Sequence, residues 1–232
     1  VVSPASRCPR CSSEIHNRHN IPVLGWLILR GRCFACRAPI SPRYPIVEAA
    51  TAALFVVVTV RFVGLHLSPA LPAYLYLAAA GLALAVIDLD TKRLPDKIVL
   101  PSYAVVAVLL TVASVATHDW WALARAGIGG AALFAFYFAL AFAYPAGMGF
   151  GDVKLSGIIG AVLAYLSWTA LVVGAFGGFL LGAIVGVAVL ASKRGGRKTA
   201  LPFGPFMIAG AFVAIFVAQP VADAYLHLLG RS

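Results

Sequence analysis

Residues 71–90 read LPAYLYLAAAGLALAVIDLD, an apolar run that ends in two carboxylates. The part before the first carboxylate, 71–87, carries no charged residue and approaches the roughly 20 residues that cross about 30 Å of hydrocarbon. Asp88 and Asp90 follow where the run meets a polar loop. A carboxylate at membrane depth is costly, so it marks a candidate functional residue.

A second acidic motif, Gly147-Met148-Gly149-Phe150-Gly151-Asp152, precedes another apolar run. The chain has only eight Asp and Glu in 232 residues. Five of them lie at or between the predicted membrane segments on one side: Glu48, Asp88, Asp90, Asp96 and Asp152. Two carboxylates that meet there suggest an intramembrane acid–base pair.

The composition predicts an all-α polytopic membrane protein. Hydrophobic residues make up 62% of the chain and charged residues 11%, which leaves too little polar surface for a soluble domain of this size. About seven transmembrane helices are expected, with the lipid bilayer as their surroundings. The predicted spans are 46–65, 71–88, 98–116, 125–144, 153–167, 169–192 and 204–226. Their many Gly and Ala residues would let helix backbones approach closely.

Basic residues stand in blocks beside the apolar runs and predict the orientation. One side of the membrane receives fifteen of the eighteen, and the other keeps only Arg61, Arg125 and Arg231. The basic side is expected to be cytoplasmic, and both acidic motifs lie on it. The fifteen are Arg7, Arg10, Arg18, Arg30, Arg32, Arg37, Arg43, Lys92, Arg93, Lys97, Lys154, Lys193, Arg194, Arg197 and Lys198. The predicted orientation in the membrane, with basic loops on the cytoplasmic side, therefore explains the net charge of +10 better than nucleic-acid binding does.

Residues 1–45 are predicted to form a small cytoplasmic module, followed by a membrane domain over 46–232. The module holds all four cysteines, as the pairs Cys8/Cys11 and Cys33/Cys36. Two C-x-x-C pairs at this separation are typical of a tetrahedral zinc site with four cysteine ligands. Four sulfur ligands leave no open position for water, so the zinc is expected to be structural. A redox pair is the rival interpretation, and His16 and His19 are either spare ligands or solvated loop residues.

The aspartates also have structural interpretations. Asp96 follows Pro95 at a good N-cap position for the third span, and Asp152 could cap the fifth. Asp90 could pair with a neighbouring basic residue. Asp88 has no such explanation, because a helix C-terminus disfavours a carboxylate.

Two facing carboxyls would support hydrolysis. If Asp88 and Asp152 meet, they would share a proton, since two close carboxyls do not both ionise cheaply. The ionised carboxyl could then activate a water molecule while the other protonates a peptide carbonyl oxygen. Gly149 and Gly151 leave a loop of little bulk, where an extended peptide could approach.

In its motifs the chain resembles the type IV prepilin peptidases, the leader peptidases of the GxGD aspartyl class. The motifs that carry the resemblance extend over nearly the whole sequence. They are the two C-x-x-C pairs, Arg43-Tyr44-Pro45 leading to Glu48, Ile87-Asp88-Leu89-Asp90, Leu94-Pro95-Asp96, Gly147-Met148-Gly149-Phe150-Gly151-Asp152-Val153-Lys154 and Pro202-Phe203-Gly204-Pro205-Phe206.

The resemblance implies a bacterial inner-membrane protease that removes a short basic leader from type IV prepilins or pseudopilins at the cytoplasmic face. It implies Asp88 and Asp152 as the catalytic pair, and a two-residue ambiguity in matching the motif leaves Asp90 as the alternative to Asp88. Many members also methylate the new N-terminus with S-adenosylmethionine. Members usually begin with an additional membrane span, which is expected to be missing here, where the chain opens on Val1. The oligomeric state is not predicted.

Two other functions compete with the protease hypothesis. Paired membrane carboxylates also serve proton-coupled transporters, but that function needs polar groups on both sides, and the far halves of the spans supply few. A non-enzymatic assembly protein anchored by its zinc module is the third hypothesis. Glu48 could attract the basic leader or could interact with a helix dipole.

Overall fold

The computed structural model describes residues 6–144, 147–192 and 201–228, with the backbone alone for 225–228. Within these ranges the chain is α-helical, and the extended structure is limited to two isolated bridges, Arg7–Glu14 and Arg32–Pro39. The helices are α1 (Leu24–Ile28), α2 (Arg43–Gly64), α3 (Leu71–Thr91), α4 (Asp96–Thr117), α5 (Trp120–Ala143), α6 (Phe150–Leu166), α7 (Trp168–Ala191) and α8 (Gly204–Leu228), with short 3₁₀ turns at Asn17–His19 and Ser68–Ala70.

The all-α membrane fold is confirmed. Each of the seven predicted spans corresponds to one of the seven long helices α2 to α8. Six of these are long and apolar enough to cross a membrane. The seventh, α6, has only 17 residues, about 25 Å at 1.5 Å per residue. The predicted basic block at 193–198 and Arg231 lie outside the described residues.

The chain divides into two compact units, Val1–Val57 and Val58–Ser232, with the boundary inside α2. The proposed division into 1–45 and 46–232 stays a prediction. In the second unit the last turns of α2 are anchored by apolar packing. Val58 and Phe62 are fully buried, and the Phe62 ring lies 4.2 Å from that of Tyr74 between centroids.

Helix α6 is the centre of the second unit. Twelve of its 17 residues are buried, and it packs against α4, α5, α7 and α8. Its C-terminal end is closed by Arg125 of α5, whose guanidinium donates hydrogen bonds to the carbonyls of Ala164, Tyr165 and Leu166. These carbonyls would otherwise be unpaired at the helix end.

Small residues allow the closest helix contacts, as the sequence predicts. A Cβ on Gly160 of α6 would lie 2.6 Å from the Gly129 carbonyl oxygen of α5, and a Cβ on Gly129 would collide with the Ala164 side chain. Helices α7 and α8 approach in the same way, since a Cβ on Gly178 would lie 3.2 Å from the Cα of Met207. These glycines serve packing.

Gly129 and Gly127 form a matched pair for testing the α5–α6 contact. Gly129→Ala should lower the free energy of unfolding by about 1–3 kcal/mol, because the added methyl overpacks the helix interface. At Gly127, on the same helix, a Cβ meets nothing within 4 Å. Gly127→Ala should therefore leave stability unchanged or raise it by about 0.5–1 kcal/mol. Thermal unfolding in detergent measures both, and equal effects would contradict the contact.

Candidate active site and cysteine cluster

Asp88 lies in the last turn of α3 and is 4% exposed. Its Oδ2 accepts a hydrogen bond of 3.1 Å from the backbone N–H of Gly204. Gly204 is the first residue of α8, and an α-helix N-terminus attracts negative charge. The dipole of α8 thus compensates the unfavourable position of Asp88 at the end of its own helix.

Asp152 lies in the first turn of α6 and is 8% exposed. The N-cap is Gly149, so the interpretation of Asp152 as the capping residue is wrong by three positions. Its Oδ2 instead reaches back and accepts a hydrogen bond of 3.3 Å from the Gly149 N–H. Like Asp88, this carboxyl therefore stands at the positive end of a helix.

The two buried carboxyls belong to one site. Asp152 lies within electrostatic range of Asp88. Leu94 lies in the connection between α3 and α4. It packs against Gly151, the residue before Asp152, and against Gly204, the hydrogen-bond donor to Asp88. A Cβ on Gly151 would lie 3.0 Å from the Leu94 Cβ, and one on Gly204 would lie 3.3 Å from its Cδ2. Glycine at both positions lets Leu94 pack closely beside the two aspartates.

The three supporting residues predicted from the sequence lie in different surroundings. Asp90 is exposed and lies about 200° around α3 from Asp88, so the burial favours Asp88 as the partner of Asp152. Gly149 binds the Asp152 carboxylate through its N–H. Gly151 lies within α6 rather than in the predicted loop, and the group that approaches it is Leu94.

Three residues that shape the site have no role predicted from the sequence: Gly204, Leu94 and Tyr137. Tyr137 of α5 is 1% exposed and interacts electrostatically with Asp152. Its ring centroid lies 5.3 Å from that of Phe179 and 6.2 Å from that of Phe203, the residue before Gly204. The motif around Gly204 can be recognised in the sequence. The Gly204-Pro205 pair indicates a helix start there, because proline is favoured in the first turn of a helix. Tyr137 has no local signal, because only the fold brings it to Asp152.

Asp96 is the first residue of α4 rather than its N-cap, which is Pro95. The N-cap prediction is therefore wrong by one position. Both oxygens of its carboxylate accept hydrogen bonds from Lys154 Nζ, at 2.7 and 2.8 Å. This ion pair joins the start of α4 to the first turn of α6.

This arrangement has the chemistry of a hydrolytic acid–base pair. Two carboxyls that interact in a largely water-excluded site are disposed to hold one proton between them. One oxygen can then accept a proton from water while another donates one to a substrate.

In the first unit, the four cysteines form one cluster. Their sulfur atoms all lie within 4.8 Å of one another. The Sγ atoms of Cys8 and Cys36 are 3.9 Å apart, and those of Cys11 and Cys33 are 4.0 Å apart. A tetrahedron of sulfurs about 2.3 Å from zinc has edges of about 3.8 Å. The cluster therefore fits a zinc ion, as the spacing predicts.

The two C-x-x-C turns have the same backbone pattern. The N–H of Ser12 donates to the Cys8 carbonyl at 2.9 Å, and the N–H of Arg37 donates to the Cys33 carbonyl at 3.0 Å. Both donors have left-handed backbones, with φ of 56° and 58°. Each turn thus holds its two cysteines where their sulfurs join the cluster.

The four thiols have different surroundings. The side chain and backbone of Ser13 lower the pKa of Cys11 to about 6, which favours the thiolate that binds zinc. Despite a backbone hydrogen bond at Ala38 that lowers it, the pKa of Cys36 is raised to about 11 by burial and by the neighbouring thiols. His16 and His19 instead contact Phe34, with ring centroids 5.6 and 5.3 Å away. The four-residue metal cluster in the described chain contains cysteines alone.

Glu48 has a structural contact within the first unit. Its Oε2 accepts a hydrogen bond of 2.7 Å from the N–H of Val23, the N-cap of α1, whose φ is 63°. The carboxylate therefore fixes the strained start of α1, and this contact supports a structural role.

Comparisons with known proteins agree with both regions. Residues 1–62 match the family model described as Bacterial Peptidase A24 N-terminal domain. Residues 75–187 match the Type IV leader peptidase family, and this range includes Asp88 and Asp152. No solved structure matches the chain.

Curated relatives align over almost the full chain, and each is named prepilin leader peptidase/N-methyltransferase. The relative from Stutzerimonas stutzeri is 34% identical over 225 residues, which cover 97% of this chain and 75% of the relative. The relative from Pseudomonas putida is 35% identical over 228 residues, covering 98% and 77%. The one from Aeromonas hydrophila is 36% identical over 230 residues, covering 97% and 76%.

These matches and the fold agree. The six helices of the described chain that are long and apolar enough to span a membrane, together with the leader-peptidase matches, fit a multi-pass protein of the bacterial inner membrane. The four-cysteine cluster lies in the segment matched by the N-terminal model. The chain belongs to the type IV leader peptidase family.

Proposed function

We propose that this chain removes the leader peptide from type IV prepilins or pseudopilins by an aspartyl mechanism, with Asp88 and Asp152 as the catalytic pair. The observation that carries the proposal is the burial of both carboxyls beside the same residue, Leu94, which packs against Gly151 next to Asp152 and against Gly204, the hydrogen-bond donor to Asp88. Relatives that share about a third of its residues carry the name prepilin leader peptidase/N-methyltransferase.

The reaction needs no covalent enzyme intermediate. The ionised carboxyl takes a proton from water as the water oxygen attacks the scissile carbonyl carbon. The protonated carboxyl donates its hydrogen to the carbonyl oxygen, which gives a neutral gem-diol. Collapse of the diol breaks the C–N bond as the newly protonated carboxyl donates a proton to the leaving amine and the other carboxylate takes a proton from a diol hydroxyl, which restores the starting pair. The products are a leader with a free carboxyl group and a mature protein with a new amino terminus.

The N–H groups of Gly149 and Gly204 have a defined role in this reaction. Each donates a hydrogen bond to one aspartate, which fixes the orientation of that carboxyl and leaves its other oxygen for water or substrate. Preorganised hydrogen bonds of this kind reduce the reorganisation needed in the transition state.

The reaction is proposed to occur at the cytoplasmic face of the inner membrane. Fifteen of the eighteen basic residues are predicted from the sequence to lie on the side that carries both acidic motifs, and basic loops stay in the cytoplasm. A substrate with a basic leader followed by an apolar helix would place its cleavage site at that boundary.

Zinc is proposed as a structural ion held by Cys8, Cys11, Cys33 and Cys36. When bound, it would close the two cysteine turns into one unit and supply folding free energy. The four sulfurs fill a tetrahedral shell, so the metal takes no part in peptide hydrolysis.

A second activity, methylation of the new amino terminus, is proposed from the names of the relatives. S-adenosylmethionine would supply an electrophilic methyl group, and the acceptor is the amine that hydrolysis releases. Methylation is therefore expected to follow cleavage.

Asp88→Asn and Asp152→Asn should each reduce leader removal at least ~10²-fold, because each removes one member of the acid–base pair. Asp90→Asn is the matched control, since it makes the same change at an exposed position two residues from Asp88. Its cleavage rate should stay near that of the unmodified protein. Conversion of a purified prepilin, resolved by gel mobility, measures all three. Full activity in Asp88→Asn, or loss only in Asp90→Asn, would disprove the assignment.

Zinc should be present at about one ion per chain and should fall in Cys33→Ser, because the tetrahedral shell loses a thiolate. His19→Ala is the control, since His19 contacts Phe34 outside the cysteine cluster. Elemental analysis of the purified variants gives the metal content. Zinc retained in Cys33→Ser, or lost in His19→Ala, would contradict the four-cysteine site.

Methyl transfer can be separated from cleavage with two substrates. With labelled S-adenosylmethionine, Asp152→Asn should leave full-length prepilin unlabelled, because no acceptor amine is released. The same variant should still label a peptide that begins at the mature amino terminus. Absence of label on that peptide with the unmodified, cleaving protein would argue against the second activity.

A further inference from the structure

The ion pair between Asp96 and Lys154 lies next to the aspartate site, and the proposed mechanism leaves it without a role. Lys154 Nζ lies 2.7 and 2.8 Å from the two carboxylate oxygens of Asp96. The same ammonium stands 5.2 Å from the centroid of the Phe150 ring, within the range of a cation–π contact. The Lys154 side chain is therefore held from two directions.

The backbone of Lys154 is also fixed by α4. The Tyr103 hydroxyl donates a hydrogen bond of 2.5 Å to the Lys154 carbonyl. The Tyr103 side chain approaches α6 at Gly157, where a Cβ on Gly157 would collide with the Tyr103 hydroxyl. Helix α4 thus makes two contacts with the first turns of α6. One is the ion pair from Asp96 to the Lys154 side chain, and the other is the hydrogen bond from Tyr103 to the Lys154 backbone.

These contacts link the two chain segments that carry the proposed catalytic residues. Lys154 follows Asp152 by two residues on α6, and Asp96 follows Asp88 by eight along the chain. Between Asp88 and Asp96 runs the connection whose Leu94 packs against Gly151 and Gly204. A change at the ion pair would therefore shift both that connection and the turn that carries Asp152.

Stability alone gives a poor account of this ion pair. The Asp96 and Lys154 side chains are 54% and 22% exposed, and ion pairs near solvent contribute little to folding. Position matters far more, since small displacements of a catalytic group cause large losses of rate.

We propose that Asp96 and Lys154 are positioning residues that hold Asp152 in register with Asp88. The pair acts through the geometry of the aspartates and makes no contact with the reacting atoms. This inference rests on the proposed aspartyl peptidase function.

The test is a double-mutant cycle on the full-length protein, with a purified prepilin as substrate. Lys154→Met and Asp96→Asn should each lower kcat about tenfold or more, because the Asp152 turn is no longer held. KM should stay within about twofold, since substrate binding is not altered. The double variant should be no slower than the slower single variant, because both substitutions remove the same interaction. The melting temperature should change little in all three.

Two further variants separate positioning from loss of charge. Lys154→Arg should restore most of kcat, because a guanidinium can bridge both oxygens of Asp96. Lys97→Met removes a positive charge beside Asp96 without touching the ion pair and should leave kcat unchanged. Asp96→Asn keeps the cycle informative even if Lys154→Met folds poorly, because it preserves side-chain volume at an exposed position.

Several outcomes would overturn the proposal. Undiminished kcat in both single variants, losses that multiply in the double variant, or equal losses in Lys97→Met would each do so. A fall in kcat that tracks a fall in melting temperature would reduce the pair to a structural contact. If the unmodified protein fails to cleave prepilin, the peptidase function and the positioning role fall together. If it cleaves and the variants match it, only the positioning role is lost.

Discussion

The site depends on one hydrogen bond, from the N–H of Gly204 to the buried carboxylate of Asp88. Asp88 stands at the wrong end of its own helix for a negative charge, and without a donor its burial would be costly. The start of α8 supplies that donor and a favourable dipole. A Cβ at position 204 would lie 2.8 Å from the carboxylate oxygen, so the bond in this geometry requires glycine.

This constraint explains the arrangement of the neighbouring helices. Helix α8 must begin beside the end of α3, and α6 must begin close enough for Asp152 to interact with Asp88. The connection between α3 and α4 lies beside both helix starts, with Leu94 against Gly151 and Gly204. The central position of α6, in contact with four other helices, holds the Asp152 end of this assembly in place.

Much of the architecture could be predicted from sequence, because hydrophobic runs and membrane thickness leave few alternatives. The seven helices, the cysteine cluster and the two important acidic motifs all follow from local patterns. Helix ends were less predictable. Asp96 and Asp152 both resemble N-caps in sequence. Asp96 instead forms an ion pair with Lys154, and Asp152, at the third position of α6, accepts a hydrogen bond from the N–H of the N-cap residue Gly149. The roles of Gly204 and Tyr137 depend on contacts between helices distant in the chain, which a single sequence does not encode locally.

The shortness of α6 has a consequence for how the protein responds to its lipid surroundings. A 17-residue helix facing acyl chains would force the bilayer to thin or would tilt its neighbours, since it falls about 5 Å short of the usual hydrocarbon core. Because twelve of the 17 residues of α6 are buried against protein, that hydrophobic mismatch is met mainly by neighbouring side chains instead of by lipid. Variation in bilayer thickness therefore acts first on the outer helices, and the buried Asp152 carboxyl is shielded from direct contact with it.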